Sequence, residues 1–414
     1  MVTSTNTVTV NGERLWSRLM EMAQFGALPE GGCNRQALTD EDQAGRSCFM
    51  DWCRDIGCEV RIDQIGNIFA RRAGLDESLT PVMTGSHLDT QPTGGKFDGI
   101  YGVLAGLEVL HTLSENNIKT ARSLEVVVWT NEEGCRFDTA MMGSAVWSGA
   151  MPLQDAYDLR DRDCFTVQQE LTRIGHLGEH PAQCYKVHAA LETHIEQGPV
   201  LEAENKVIGI VTGVQHMSRH RVIVQGQETH AGPTPMNMRF DPMMALSRFL
   251  PRLYAMAEQH APDGRLTFGY INAAPGSSNT VPGELEVTVD IRHPEQKQYV
   301  EMLAGYKEIV EEACAHYQLP VELSCFWEAP GVQFADRCVN AVRNAAMANS
   351  YPSRELVSGA GHDACNLSRV APTGMIFIPC EGGVSHNQKE NALPEHITAG
   401  ANILLGAMLA LAEE

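Results

Sequence analysis

Residues 81–86 (PVMTGS) form a short apolar run that reads as a buried strand. Beyond a loop of glycines and prolines, Ile100, Val103, Leu104, Leu107, Leu110 and Leu113 recur at the spacing of one helical face. A helix is therefore expected to begin near Asp98 and to pack that face inward. SLEVVVWTNEE (123–133) is continuous in apolar character, as expected of a strand covered on both faces of a parallel sheet. Strand, helix and strand in this order make a βαβ unit, and with it an α/β fold.

The pattern changes in the middle of the chain. HRVIVQG (220–226) alternates with period two, 240–260 has helical spacing despite Pro251, and RLTFGYI (265–271) and ELEVTVDIR (284–292) alternate again. A helix is expected over 296–317 and a strand at PVELSCF (320–326). The order β-α-β-β-α-β is that of a ferredoxin-like domain. After Gly331 the α/β pattern resumes, with a helix near 335–348, a strand at 374–379 (GMIFIP) and a last helix from Glu395. The expected organisation is one domain of 1–213 and 331–414, interrupted by an inserted α+β domain at 214–330. A chain of 414 residues exceeds one comfortable core and suits this division.

Composition narrows the partners. The balance of 31 basic against 52 acidic residues gives a net charge of −21, which repels phosphate backbones and anionic membrane surfaces. Neither nucleic acid nor membrane is an expected partner. No apolar run approaches the roughly 20 residues needed to cross a bilayer, and the first ten residues are polar and give no signal peptide. The 12 cysteines are scattered without a C-x-x-C pair, which fits a reducing cytoplasm. Cys48, Cys53 and Cys58 match no zinc-ligand spacing and are expected as small core side chains.

Candidate chemistry gathers where strands end. His87 and Asp89 follow a strand, Asp98 opens a helix, and Glu132 and Glu133 close the next strand, so all should project from one edge of the sheet. His194 in LETHIEQG and His386 in GGVSHNQKE follow further strands. Imidazole and carboxylate together suit zinc, manganese, cobalt or nickel, and no thiolate lies in these loops. His87, Asp98 and His194 can hold one ion, and Asp98, Glu133 and His386 a second, with Asp98 bridging. Asp89 is placed to orient the His87 imidazole. Two such ions can share a water and lower its pKa, which leaves Glu132 as the general base. An H-x-D triplet or a glutamate pair alone is commonplace in loops. Their joint occurrence, in order, on an interrupted α/β pattern is not.

Taken together, GSHLDTQPTGGKFDG, TNEEGCRF, ETHIEQGPVLE, THAGPTPM, NTVPGELEVTVDIRHP, SGAGHDA and GGVSHNQKE resemble the hydantoinase/carbamoylase branch of the di-zinc aminoacylase and carboxypeptidase-like amidohydrolases. The resemblance runs over nearly the whole chain. It implies a di-metal aminopeptidase-like catalytic domain with an inserted ferredoxin-like domain that serves dimerisation and acts as a lid. It implies the same metal ligands, with zinc the first expectation and manganese, cobalt or nickel open, and Glu132 as base. A histidine rather than a carboxylate at 194 resembles the ureido-cleaving branch more than peptidases or aminoacylases.

The resemblance also implies the substrate contacts. Arg292, whose guanidinium suits bidentate capture of a carboxylate, would bind the substrate carboxylate with Asn279 and the backbone N–H of Gly361. Gln197 would lie near the ureido group, and His230 would polarise the scissile carbonyl across a homodimer. His216 and His362 are expected to be structural. The implied substrate is a small carboxylate bearing a carbamoyl or ureido group. The implied reaction cleaves the carbamoyl C–N bond of N-carbamoyl-L-amino acids to amino acid, CO2 and ammonia. Allantoate amidohydrolase and β-ureidopropionase are the alternatives within the branch, and a non-catalytic dimeric ligand-binding protein is the alternative outside it.

Overall fold

The computed structural model describes residues 8–414. They fall into two compact units, one running to Thr212 and resuming over Gln333–Glu414, the other spanning Gly213–Val332.

The first unit is built on a nine-stranded mixed sheet among the described residues. Four adjacent parallel strands form its centre, in the order Leu124–Trp129, Val82–His87, Ala189–Ile195 and Thr373–Ile378. Every residue of these strands is buried, which is why they read as apolar runs rather than as alternations. Antiparallel strands Ile68–Arg72 and Ile208–Val214 flank them. The helix Ile100–Glu115 buries all the apolar positions that predicted it. Helix Asp40–Asp55 buries one face, Asp42, Gly45, Arg46, Phe49, Met50 and Cys53, whose first half is polar, and Thr39 caps its first turn by accepting the Asp42 N–H.

Three local expectations need correction. The strand expected over 123–133 ends at Trp129, because Asn131 takes φ +55° and turns the chain, which carries Glu132 and Glu133 out of the sheet. His194 lies inside its strand rather than after it. The helix Pro394–Ala412 does reach the length and apolarity of a membrane span, with a mean hydropathy of 1.3. It packs against Ile100–Glu115, and 67% of its apolar window is buried, so the protein itself takes up that surface.

The second unit has a four-stranded antiparallel sheet in the order Val321–Ala329, His216–Gln225, Glu284–His293, Arg265–Ala274. That is the fourth, first, third and second strand in chain order, the ferredoxin-like arrangement. Helices Pro242–Gln259, which runs through Pro251, and Gln296–His316 supply Phe249, Leu253, Met302 and Tyr306 to one core with Val222, Val224, Leu285, Val287, Val289 and Ile291. Along Glu284–His293 burial alternates strictly, so Asp290 and Arg292 share the face opposite that core. All 12 cysteines are free; Cys53 and Cys58 are buried and Cys48 is partly so.

Candidate metal centre

The carboxyl ends of the central parallel strands bring the candidate ligands together. His87 is the last residue of its strand, and its Nδ1 donates to the Asp89 carbonyl at 2.9 Å. His194 does the same toward the Ile195 carbonyl at 2.8 Å. With Nδ1 tied to a backbone carbonyl, each ring turns Nε2 inward as the atom a metal would take; burial leaves His87 neutral, while Asp98 raises His194 to about 9 against its burial, a proton that a cation in this place would displace. The Nε2 of His87 lies 3.9 Å and that of His194 3.1 Å from Asp98 Oδ1. Gly99 makes this approach possible: its φ is +72°, and a Cβ there would sit 2.2 Å from His87 Nε2.

The other carboxylate oxygen of Asp98 faces a second set. Its Oδ2 lies 3.5 Å from His386 Nε2, which is in turn 3.3 Å from Glu133 Oε2. The ligand atoms of His87, Asp98 and His194 all lie within 4.8 Å of one another, as do those of Asp98, Glu133 and His386. These overlapping clusters form a binuclear metal-binding site, buried except at His386 and consistent with two divalent ions. A third triplet, Glu192, His194 and His362, meets the same spacing. It is already satisfied by neighbours: Glu192 accepts from the Ser86 hydroxyl and the Ala364 N–H, both at 2.8 Å, and His362 pairs with Ser358 at 3.0 Å.

The electrostatics fit a pair of dications. Burial pushes the Glu132 carboxyl well above the usual range, and Asp363, Glu133, Asp89 and Asp98 push it further. Burial does the same to Glu133, reinforced by Asp98 and Asp89. Two cations would offset this crowding of like charge. Burial also holds His87 at about 4, so it is neutral and able to ligate near pH 7. Asp98 stays below the usual range against its own burial, through His194, His87 and His386. The donor set contains imidazoles and carboxylates and no thiolate, as suits zinc, manganese, cobalt or nickel.

Around the ligands the structure is specific. The Glu132 Oε2 lies 3.4 Å from His87 Nε2, and at 12% its side chain is more exposed than Asp98 or Glu133, at 5% and 4%. The Asp89 carboxylate does not orient His87 as expected: it is 4.0 Å from Nδ1, and the Asp89 carbonyl takes that role. The carboxylate instead accepts the N–H groups of Glu132 and Glu133, both at 3.2 Å, because the turn after Trp129 presents donors that the sheet no longer pairs. Gln197, at φ +56°, donates to Asp98 Oδ2 at 2.8 Å, and its Oε1 is buried without a hydrogen-bond partner among the described residues. Gly361 lies between strand Ser353–Ser358 and helix Asp363–Leu367. Sequence reading missed Ser385, whose hydroxyl donates to Asp98 Oδ2 at 2.7 Å, and Glu390, which accepts the Phe97 and Asp98 N–H groups at 3.0 and 3.1 Å.

In the second unit, His230 lies exposed on a short ribbon, Thr229–His230 paired with Thr280–Val281. Its Nδ1 accepts the Gly232 N–H at 3.0 Å, so Nε2 carries the hydrogen and is a donor. Asn279 lies in the turn that leads into this ribbon, and its carbonyl accepts the Ala231 N–H at 2.9 Å. Arg292 forms a bidentate pair with Asp290 at 2.6 and 3.0 Å. His216 stacks on Tyr299, with ring centroids 5.2 Å apart, and accepts the Gly331 N–H at 2.9 Å.

An α/β unit with two cation positions sharing one aspartate at its strand ends, and a further carboxylate beside them, defines a binuclear metallohydrolase. Residues 83–410 match the model of Peptidase family M20/M25/M40. The chain belongs to this family and, within it, to the hydantoinase/carbamoylase branch. It is 48% identical to a hydantoinase/carbamoylase family amidase from Burkholderia multivorans, with a TM-score of 0.95 over 98% of this chain and 99% of that one. It is 44% identical over 404 residues to the N-carbamoyl-L-amino-acid amidohydrolase of Rhizobium meliloti, covering 98% of this chain and 97% of that protein. To the allantoate amidohydrolase of Bacillus subtilis (strain 168) it is 34% identical over 394 residues, covering 94% and 95%. The chain is an enzyme, a hydrolase of non-peptide C–N bonds, which sets aside a purely ligand-binding role.

Proposed function

We propose that the chain hydrolyses N-carbamoyl-L-amino acids to the amino acid, carbon dioxide and ammonia. The observation that carries this reading is Glu132 beside an Asp98-bridged pair of cation positions, in a chain 44% identical over nearly its full length to the Rhizobium meliloti enzyme. Two divalent ions, zinc first, with manganese, cobalt or nickel as alternatives, would be held by His87, Asp98 and His194 and by Asp98, Glu133 and His386, and would supply Lewis acidity and lower the pKa of a water.

The chain's own residues do the rest. Glu132 takes the proton of the attacking water and hands it to the leaving nitrogen as the carbamoyl C–N bond breaks. Asp89 holds the Glu132–Glu133 turn through its two N–H acceptances, and so positions the base. The Nε2–H of His230 donates to the carbonyl oxygen as negative charge develops there. Arg292, Asn279 and the Gly361 N–H receive the substrate carboxylate. The unpaired Oε1 of Gln197 accepts a ureido N–H. His230 acts on the partner's site in a homodimer; this is supported by the exposed Met236, Met238 and Phe240 that follow it, an apolar patch suited to a protein partner. The inserted unit then serves as dimerisation domain and lid. The free cysteines support a cytoplasmic enzyme.

A second reading, allantoate amidohydrolase, is favoured by the 34% identity to the Bacillus subtilis enzyme and would use the same residues. Ammonia release by the metal-loaded protein decides between them, measured with N-carbamoyl-L-amino acids, allantoate and N-carbamoyl-β-alanine. The highest kcat/KM is expected for an N-carbamoyl-L-amino acid. A clear preference for allantoate would replace the first reading with the second, and release from none of the three would overturn both.

A further inference from the structure

His386 differs from the other ligands in how it is held. The side chains of His87 and His194 are at most 2% exposed and bonded through Nδ1 to backbone carbonyls. His386 is 52% exposed, sits at φ +53°, and has no such bond among the described residues. Burial and strand geometry therefore do little to fix it. Its loop is instead tied down four positions later. Glu390 is 4% exposed, and its Oε1 accepts the backbone N–H of Phe97 at 3.0 Å and of Asp98 at 3.1 Å. A tight turn from the Asn387 carbonyl to the Glu390 N–H, 2.9 Å, joins this anchor to the ligand. At the other end of the loop Ser385 donates to Asp98 Oδ2 at 2.7 Å and lies 3.4 Å from Glu390 Oε2. The Asp98 loop is shaped to receive the carboxylate: a Cβ on Gly95 would lie 2.0 Å from Glu390 Oε1.

We propose that Glu390 is a positioning residue that locks the His386 loop onto the Asp98 loop, and that the cation position formed by Asp98, Glu133 and His386 depends on this lock more than the position formed by His87, Asp98 and His194. The inference rests on the ligand roles proposed above. Because Glu390 grips backbone N–H groups, its part is geometric: it sets where Asp98 and His386 stand relative to each other. An outer contact of this kind typically changes metal affinity by about 10- to 100-fold.

The test is metal retention by the full-length protein, with ions per chain counted by elemental analysis after dialysis against graded zinc chelator. Glu390→Ala is expected to lose one ion at about 10- to 100-fold lower chelator strength than wild type while keeping the other. Glu390→Gln, which keeps an acceptor oxygen in place, is expected to recover most of that loss. Two ions held by Glu390→Ala as tightly as by wild type would overturn the proposal. So would a Gln variant as weak as Ala, since the effect would then belong to charge and not to position. If Glu390→Ala does not fold, Glu390→Asp decides by the same count, its shorter side chain being expected to lose the same ion, and full retention overturning the proposal. His386→Ala separates this inference from the reading beneath it: should that variant keep both ions, the ligand assignment itself fails.

Discussion

The side chains of His87, Asp98, Glu133 and His194 in the first unit are at most 5% exposed, whereas in the second unit His230 is exposed and Arg292 turns its guanidinium to Asp290. The first group is fixed before any ligand arrives. Ring orientations are set by backbone carbonyls, and the Glu132–Glu133 turn is held by Asp89. So many carboxylates in one buried place would be expensive without cations to neutralise them. The second group is held differently, His230 presenting Nε2 from an exposed ribbon and Arg292 bonded to Asp290 and to Met217 Sδ within its own unit. Preorganised charge suits the bond-breaking chemistry, while the donors of the second unit suit recognition of a polar substrate.

Substitutions can sharpen this contrast. The largest effect is expected from Asp98→Asn, which weakens the shared ligand: both ions should be lost on dialysis and ammonia release should fall to background. Retention of two ions would contradict the bridge. Glu132→Gln should keep both ions but lower kcat by about 10²- to 10⁴-fold; near-normal turnover would remove Glu132 as base. In the second unit, His230→Ala should lower kcat by about 10²- to 10³-fold without changing metal content. Mixing it with Glu132→Gln protein should restore part of the activity if His230 serves the partner's site, and no restoration would return it to its own chain. The smallest effect falls on recognition. Arg292→Ala should raise KM about 10- to 100-fold for carboxylate substrates, the loss of a charged hydrogen bond, and leave kcat nearly unchanged. An equal effect on neutral amide analogues would end the clamp assignment.

Much of the first group could be read from the chain, because its residues stand where apolar runs stop: His87 after PVMTGS, Glu132 and Glu133 after VVVW. The βαβ unit and the inserted β-α-β-β-α-β order were legible for the same reason, since burial on one or both faces writes itself as periodicity. What could not be read depends on the folded backbone. Asp89 stands two residues from His87 in any conformation, and only the fold decides that its carbonyl, and not its carboxylate, meets the imidazole. Glu390 is invisible for a stronger reason: its partner Phe97 lies 293 positions away and offers a main-chain N–H, which no side-chain pattern records. The end of strand Leu124–Trp129 is not written in the sequence either, because Asn131 turns the chain within a stretch whose pattern still reads as strand.

The pairing of cations across Asp98 is tested most directly by anomalous diffraction from crystals of the zinc-loaded enzyme, collected on both sides of the zinc edge. Two peaks are expected, about 3.5–4 Å apart, one bonded to His87 and His194, the other to Glu133 and His386, with one oxygen of Asp98 on each. A single peak, or two peaks of which only one touches Asp98, would contradict it.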